Sequence, residues 1–188
     1  MGPSENQHIC RADRRRFLLT GLAAATSVLL PAKFALAATP HAPRSLAFQN
    51  LHTGESFSGE YWADGAYINE QLQQVAKVLR DHRNGASHII DPALLDLLHA
   101  VRGSLETTRP FQVISGYRSP ESNAKLAAAS SGVAKHSMHM DGKAIDIRVP
   151  GVELLNVHKA AKALKGGGVG YYAASNFVHM DVGRIRYW

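Results

Sequence analysis

The sequence predicts an α+β domain with a small, mostly antiparallel sheet flanked by helices. Two stretches with helical periodicity precede most of the strand-like segments, and the last strand-like segments are separated by tight turns. Helices set apart from closely connected strands are typical of α+β folds. The chain has 188 residues, and the part that follows the amino-terminal segment 1–37 is long enough for one domain with one core.

Segment 1–37 has the features of a twin-arginine signal peptide. Paired arginines at 14–16 are followed by Phe17 and Leu18, and an apolar run continues to Leu30. An Ala-Leu-Ala sequence at 35–37 then provides a cleavage site before Ala38. The apolar run is too short to span a bilayer as a helix. We therefore predict export by the twin-arginine machinery, a periplasmic location and no stable membrane insertion after cleavage; an uncleaved anchor is the alternative.

Charge and cysteine content restrict the function of the exported part. Removing the five basic and two acidic residues of segment 1–37 from the formal net charge of +6 leaves +3. This mild excess argues against a nucleic-acid partner, which usually requires a strong basic stripe. The one cysteine, Cys10, lies inside the signal. The exported part therefore has no disulfide, no cysteine nucleophile and no cysteine ligand for a metal.

The first predicted elements are a hairpin and two helices. Residues 38–45 contain two prolines and predict a flexible leader. Segments 46–51 and 55–61 flank a turn that contains Gly54, which predicts two antiparallel strands. Apolar residues recur at helical spacing from Ile68 to Leu79. A second helix is predicted after Asp91 and Pro92, a capping residue followed by a proline at the first helical position.

The later elements mix strands and helices. Segment 111–115 predicts a buried strand, and Ser119-Pro120 predicts the start of a helix that runs to about residue 130 and is broken at Gly132. Alternation predicts a strand at 143–149. A helix is predicted at 152–164, followed by a closing pair of strands at 169–172 and 177–182.

Candidate metal ligands lie on and beside two of these strands. In segment 143–149, Asp146 alternates with the apolar isoleucines and therefore faces away from the core. His139 lies seven residues earlier, and a turn at Asp141-Gly142 can fold it back beside Asp146. In segment 177–182, His179 and Asp181 share the face opposite to the apolar residues. If the two strands are neighbours, His139, Asp146 and His179 can converge.

Three nitrogen or oxygen ligands with one open position describe a catalytic zinc site. A structural zinc site more often has four protein ligands, usually including cysteine. Isolated histidines and aspartates on strands are also common as ordinary polar residues. From spacing alone, both interpretations remain open.

Several segments together resemble a known family of zinc peptidases. The sequence from Ser137 to Asp146 follows the pattern S-x-H-x-x-G-x-A-x-D and is similar to the D-Ala-D-Ala metallopeptidases, which share a fold with lysostaphin-type peptidases and the hedgehog signalling domain. The murein endopeptidase K branch is matched further by segments 50–56, 114–119, 132–135, 167–172 and 176–181 and by the final Trp188. The resemblance covers nearly the whole exported part, so 46–188 is predicted to be a zinc peptidase domain.

The resemblance implies a site and a mechanism. His139, Asp146 and His179 are the implied ligands of one Zn²⁺ per chain, which activates a water molecule to attack a peptide carbonyl. Arg118 is implied to hold the substrate carbonyl or the developing oxyanion, although it could instead cap the turn at Gly116. Ser137 is expected to hold the loop in position or to form a hydrogen bond to a group behind the metal ligands.

The general base is left open by the sequence. Several relatives have a glutamate three residues before the last histidine ligand, but Asn176 occupies that position here. Asp181 is one candidate, and its alternative role is to orient a ligand imidazole. His136 is another candidate and could also act as an acid. Asp141 is interpreted as a turn residue.

The implied function is hydrolysis of peptide cross-links in peptidoglycan, of the murein DD/LD-endopeptidase type and including links between two diaminopimelate residues. The enzymatic alternative is a D,D- or L,D-carboxypeptidase. The non-enzymatic alternative is a zinc-containing module that binds the cell wall without turnover, since this fold does not by itself imply peptidase activity.

Overall fold

The computed structural model describes residues 42–130 and 134–188. The strands in these two ranges are β1 (Arg44–Asn50), β2 (Ser56–Ala63), β3 (Ala66–Tyr67), β4 (Phe111–Ser115), β5 (Ala144–Arg148), β6 (Gly168–Tyr172), β7 (Phe177–Asp181) and β8 (Arg186–Tyr187). The helices are α1 (Asn69–Val78), α2 (Pro92–Ser104), α3 (Pro120–Ala129) and α4 (Leu154–Leu164), and a 3₁₀ turn at Met138–Asp141 precedes β5. The predicted signal at 1–37 and the predicted helix break at Gly132 lie outside the described residues.

The strands form one mixed sheet in the order β3-β2-β1-β4-β5-β7-β6-β8. The α+β class is confirmed, but the prediction of a small, mostly antiparallel sheet is wrong. The described sheet has eight strands, and the pairs β1–β4 and β6–β8 are parallel.

Both parallel pairs have a topological reason. β1 and β4 are separated along the chain by the β2–β3 hairpin and by helices α1 and α2, and such a long crossover allows parallel pairing. β7 is already bonded on both edges, to β5 and to β6. The chain that leaves β7 therefore pairs with the free edge of β6, where β8 runs parallel to it.

Local signals in the sequence account for the helix starts. Asp91 caps α2 by accepting a hydrogen bond from the backbone N–H of Ala93, and Ser119 caps α3 by accepting one from Ser122. Each cap is followed by a proline in the first helical turn, where the missing N–H has no cost. β1 begins at Arg44, so this strand includes the last two residues of the predicted leader at 38–45.

One apolar core lies between the sheet and helices α1, α2 and α4. β5 contributes Ile145 and Ile147, and β7 contributes Val178 and Met180, all of them fully buried. The residues that alternate with these four therefore project from the opposite face of the sheet. Within residues 42–130 and 134–188, no helix is both long and apolar enough to cross a membrane.

The loop after α1 fastens the segment that connects β4 to α3. The Asp81 carboxylate is fully buried and accepts hydrogen bonds from the backbone N–H groups of Ser119 at 2.9 Å and Arg83 at 3.0 Å. The N–H of Tyr117 donates to the carbonyl oxygen of Leu79 at 2.7 Å. These contacts fix the backbone of segment 116–119 against α1.

Replacing Asp81 with asparagine is expected to lower the free energy of unfolding by about 2 kcal/mol at pH 7. Burial alone would raise the pKa of Asp81, but hydrogen bonds from Ser122, Ser119 and Arg83 lower it to about 2. A lowered pKa stabilises the fold while the carboxylate is ionised. The contribution is therefore complete above about pH 5 and is lost as the pH falls toward about 2. Urea unfolding at pH 7 and at about pH 2.5 measures the difference between the two proteins.

Asp64→Asn is the matched control for this prediction. Asp64 is exposed in a turn with a φ of 52°, a conformation that asparagine also adopts readily. The free energy of unfolding of the Asp64→Asn protein should differ from that of the unaltered protein by less than about 0.5 kcal/mol. A loss in Asp81→Asn that stayed undiminished at low pH would contradict the role given to the ionised carboxylate.

Candidate metal centre

Two polar side chains face each other across the ladder between β5 and β7. Asp146 and His179 are directly paired in register, and both are buried although they project from the face opposite to the core. The alternation that places Ile147 and Val178 in the core puts these two side chains side by side. The condition that the sequence set for convergence, that these two strands are neighbours in the sheet, is met.

His139 reaches the same point from the 3₁₀ turn at Met138–Asp141. Ser137 caps the turn by accepting a hydrogen bond from the backbone N–H of His139 at 3.4 Å. The turn ends at Gly142, which has a φ of +65° and where a Cβ would collide with the carbonyl oxygen of Ile89. Only glycine both adopts this φ readily and avoids the clash. The turn folds His139 back beside Asp146, as the sequence suggested.

The three side chains lie close enough together to bind one metal ion. Asp146 Oδ1 lies 2.8 Å from His179 Nδ1 and 3.4 Å from His139 Nε2, and the two nitrogens are 3.3 Å apart. Ligands at zinc bond lengths in a tetrahedral arrangement are about 3.3–3.5 Å apart. Two of the three separations match this value, and small side-chain movements would accommodate the third. The donor set therefore fits a single zinc-sized ion.

Hydrogen bonds behind the imidazole rings orient them toward the common point. The Nδ1 atom of His139 donates to the carbonyl oxygen of Gly116 at 2.7 Å, and Nε2 of His179 donates to Asp181 Oδ2 at 3.1 Å. Metal-bound histidines usually donate their second N–H to an oxygen in this way. Gly116 can lie against the backbone of Leu79 because it has no Cβ, which would collide there.

The cluster favours an ionised carboxylate. Burial alone would raise the pKa of Asp146, but its attraction to His139 and its hydrogen bonds to His139 and His179 lower it well below its ordinary value. Burial alone would lower the pKa of His179, but hydrogen bonds to Asp146 and Asp181 raise it. The site therefore holds a negative charge that can be balanced by protons on imidazole or by a cation.

Asp181 lies behind the cluster and does not line the cleft. Its fully buried carboxylate accepts hydrogen bonds from the backbone N–H groups of Gly168 and Gly183 and from both terminal nitrogens of Arg186, besides the bond from His179. Burial alone would raise its pKa, but these hydrogen bonds hold it well below the ordinary range. The contacts favour the orienting role, one of the two that the sequence left open, over that of a general base.

Arg118 lies beside the cluster on the β4 side. Its backbone N–H donates to the carbonyl oxygen of His139 at 3.1 Å, and its guanidinium group lies 3.9 Å from Asp146 Oδ2. Its Nη1 atom is 3.4 Å from the side-chain oxygen of Asn123. Asn123 also donates to the carbonyl oxygens of Ala134 and Lys135, so it joins Arg118 to the loop that leads to His139.

The remaining base candidate, His136, and the residue at the glutamate position, Asn176, are both exposed. His136 is exposed and lines the cleft above the cluster. Asn176, at the position of the glutamate found in some relatives, is exposed in the turn between β6 and β7 with a φ of 52°. Asparagine is among the residues that adopt this conformation most readily, which gives Asn176 a role in the turn.

A cleft of about 380 Å³ opens over the three ligand candidates. Its lining includes Tyr172, Phe177, Arg186 and Trp188, which the sequence did not predict as site residues. The alternation that places His179 on the outer face also places Phe177 there, so this residue could have been found. No local signal marks Arg186 or Trp188, because both reach the cleft through the pairing of β8 with β6.

Comparison with known proteins identifies the family. A family model described as "Peptidoglycan L,D-endopeptidase MepK" matches residues 38–188. The chain belongs to the MepK family. Peptidoglycan L,D-endopeptidase MepK of Escherichia coli (strain K12) is 46% identical over 178 residues, which cover 94% of this chain and 97% of that relative. The probable peptidoglycan L,D-endopeptidase MepK of Haemophilus influenzae is 40% identical, with 94% and 95% covered.

The resemblance to the murein endopeptidase K branch of the D-Ala-D-Ala metallopeptidases is therefore confirmed. The segment matched by the MepK family model contains the whole cluster of His139, Asp146 and His179 together with the cleft above it.

Proposed function

We propose that this protein is a zinc-dependent endopeptidase that hydrolyses peptide cross-links of peptidoglycan, including those between two diaminopimelate residues. The observation that carries the proposal is the convergence of His139, Asp146 and His179 at the floor of a cleft, in a chain of the MepK family. The names of the two relatives support the substrate class and the hydrolysis of an internal bond.

The donor set supports zinc as the metal. Two imidazole nitrogens and one carboxylate oxygen leave a fourth position open, as in catalytic zinc sites. When bound, Zn²⁺ supplies a Lewis acid that polarises a carbonyl group and lowers the pKa of water. His139, Asp146 and His179 hold the ion, while Asp181 and the carbonyl group of Gly116 fix the imidazole rings.

Arg118 is positioned to stabilise negative charge on the substrate. Its guanidinium group lies 3.9 Å from Asp146 Oδ2, and the residue lines the cleft. A cationic donor at the edge of the metal centre can bond to the oxygen that becomes negative during attack on the carbonyl group. We assign Arg118 this role.

His136 is the candidate for proton transfer. Of the described side chains that line the cleft, apart from the three ligand candidates, His136 is the one imidazole, and no carboxylate is among them. An imidazole can both accept and donate a proton near neutral pH. His136 would accept a proton during attack and deliver it to the leaving amine.

Replacing Arg118 with alanine is expected to lower kcat by about 10²–10³-fold, as for removal of one oxyanion donor. Zinc content should be unchanged, because Arg118 is not a ligand. Arg109→Ala is the matched control, since Arg109 is exposed near the start of β4, the end opposite to Gly116. A normal kcat in Arg118→Ala would show that the guanidinium group serves only to cap the turn at Gly116.

Export by the twin-arginine route to the periplasm is part of the proposal. The signal features of segment 1–37 support it, and the family match from residue 38 supports a domain boundary at the predicted cleavage site. Changing Arg14, Arg15 and Arg16 to lysine should retain the full-length chain in the cytoplasm. Continued appearance of a chain that begins at Ala38 in the periplasm would reject this route.

The function is tested by incubating the exported form with purified cross-linked muropeptide dimers. We expect one zinc per chain and conversion of dimer to monomer, with activity stopped by a chelator and restored by zinc. Release of free D-alanine without monomer formation would identify a carboxypeptidase instead. Zinc and dimer binding without any product would identify a wall-binding module.

A further inference from the structure

The two ends of the cleft differ in chemistry because of the strand order. In the series β4-β5-β7-β6-β8, Arg118 follows β4 and the candidate ligands Asp146 and His179 lie on β5 and β7. Tyr172 ends β6, and Trp188 follows β8. Arg118 therefore lies on one side of the metal centre, and aromatic rings with Arg186 beside them lie on the other. We call Tyr172, Phe177 and Trp188 the aromatic wall.

Trp188 presents an apolar face with a fixed orientation. The side chain is 48% exposed, and its one donor, Nε1, is already bonded to the hydroxyl oxygen of Tyr172 at 2.7 Å. The ring can lie flat against β6 because Gly170 has no Cβ there; a Cβ would come within 2.6 Å of the indole. Arg186 lies 5.0 Å from the ring centroid and supports it further.

Tyr172 and Phe177 continue this surface. Their rings stack with centroids 4.5 Å apart and planes inclined by 18°. Both line the cleft with Trp188 and are partly accessible. An accessible set of aromatic rings held rigid by mutual contacts and one hydrogen bond is suited to binding apolar groups.

The position of the wall limits what can bind to it. The Trp188 ring centroid is 5.3 Å from that of His179. A group in contact with Trp188 therefore lies within one residue of the bond that is cleaved. The sugars of peptidoglycan are several peptide bonds away from a cross-link, whereas the aliphatic side chain of the cross-linking diamino acid is directly beside it.

We propose that the aromatic wall is the subsite for the aliphatic side chain of the cross-linking diamino acid. The inference rests on the proposed function, since it names the part of that substrate which the wall recognises. Trp188 is then a specificity-determining residue that contributes to binding and does not take part in bond cleavage.

The test compares two sugar-free cross-linked peptide dimers, one containing diaminopimelate and one containing a diamino acid shorter by two methylene groups. The zinc-loaded, exported form should prefer the longer side chain by about tenfold or more in kcat/KM, since each buried methylene contributes to binding. Trp188→Ala should abolish this preference by raising KM for the longer substrate, with kcat within about threefold and unchanged zinc content. Trp188→Phe should keep most of the preference, because it keeps an aromatic face.

Tyr171→Ala is the matched control and should behave like the unaltered protein, since Tyr171 packs on His158 of α4, away from the cleft.

Several results would overturn the proposal. They are an equal fall in kcat/KM on both dimers in Trp188→Ala, an unchanged preference for the longer side chain in Trp188→Ala, and loss of zinc or of the folded state in both Trp188 variants. Failure of the proposed function itself is distinguishable, because the unaltered protein would then hydrolyse neither dimer. Calorimetric binding of the same two dimers to the unaltered protein and to Trp188→Ala would still test the subsite in that case.

Discussion

Replacing His139 with alanine is expected to abolish hydrolysis of cross-linked dimers, with a loss on the order of a thousandfold or more. The imidazole is 2% exposed and supplies one of three candidate ligand atoms. Without it, Asp146 and His179 alone would hold zinc weakly. Zinc content by atomic emission and kcat/KM on muropeptide dimers should fall together.

His158→Ala is the control for this experiment. His158 lies on α4 with its ring against Tyr171, on the face of the sheet opposite to the cleft, so both zinc content and activity should be retained. Circular dichroism and a thermal melt establish that His139→Ala is folded. A folded His139→Ala protein that kept one zinc and normal turnover would refute the assignment of the centre.

Replacing Asp181 with asparagine is expected to weaken zinc binding by about 10–100-fold, as for other residues that orient metal ligands. Asparagine would replace the charged acceptor of the hydrogen bonds from His179 and Arg186 with an uncharged amide. Unfolding should also become easier by about 2–3 kcal/mol, because hydrogen bonds to a charged group are lost. Titration with a competing chelator measures the affinity, and urea unfolding measures the stability.

Saturating zinc separates the orienting role from that of a base. If Asp181 only orients His179, kcat at saturating zinc should return to within about tenfold of the unaltered value, since a lost general base costs about 10²–10⁴-fold. Asp141→Asn is the control, because Asp141 is an exposed residue of the 3₁₀ turn. Full zinc occupancy with a kcat that stayed low would make Asp181 the base despite its burial.

The sequence predicted the parts of the fold that depend on local patterns. Period-two alternation placed Asp146 and His179 on the outer face of their strands, because the apolar residues between them have to enter the core. Capping by Asp91 and Ser119 marked the starts of α2 and α3. Convergence of the ligand candidates followed once β5 and β7 were taken as neighbours, and the ladder confirms that pairing.

Features that depend on distant pairing were not predictable in the same way. The parallel position of β8 follows from the occupied edges of β7, which no pattern near Arg186 reveals. Asp81 contacts a segment about 38 residues away, and its sequence surroundings resemble an ordinary polar loop. The role of Asp181 was left undecided because its burial and its five hydrogen bonds to four residues appear only in the folded chain.

The direct pairing of Asp146 with His179 has a consequence for how the protein matures. These residues are 33 positions apart, and they meet only when β5 and β7 have found the correct register. A slip of one residue would turn one of the two side chains toward the apolar core. With the proposed ligand set, a metal ion held by both side chains would therefore stabilise the correct register of the central strands over a slipped one.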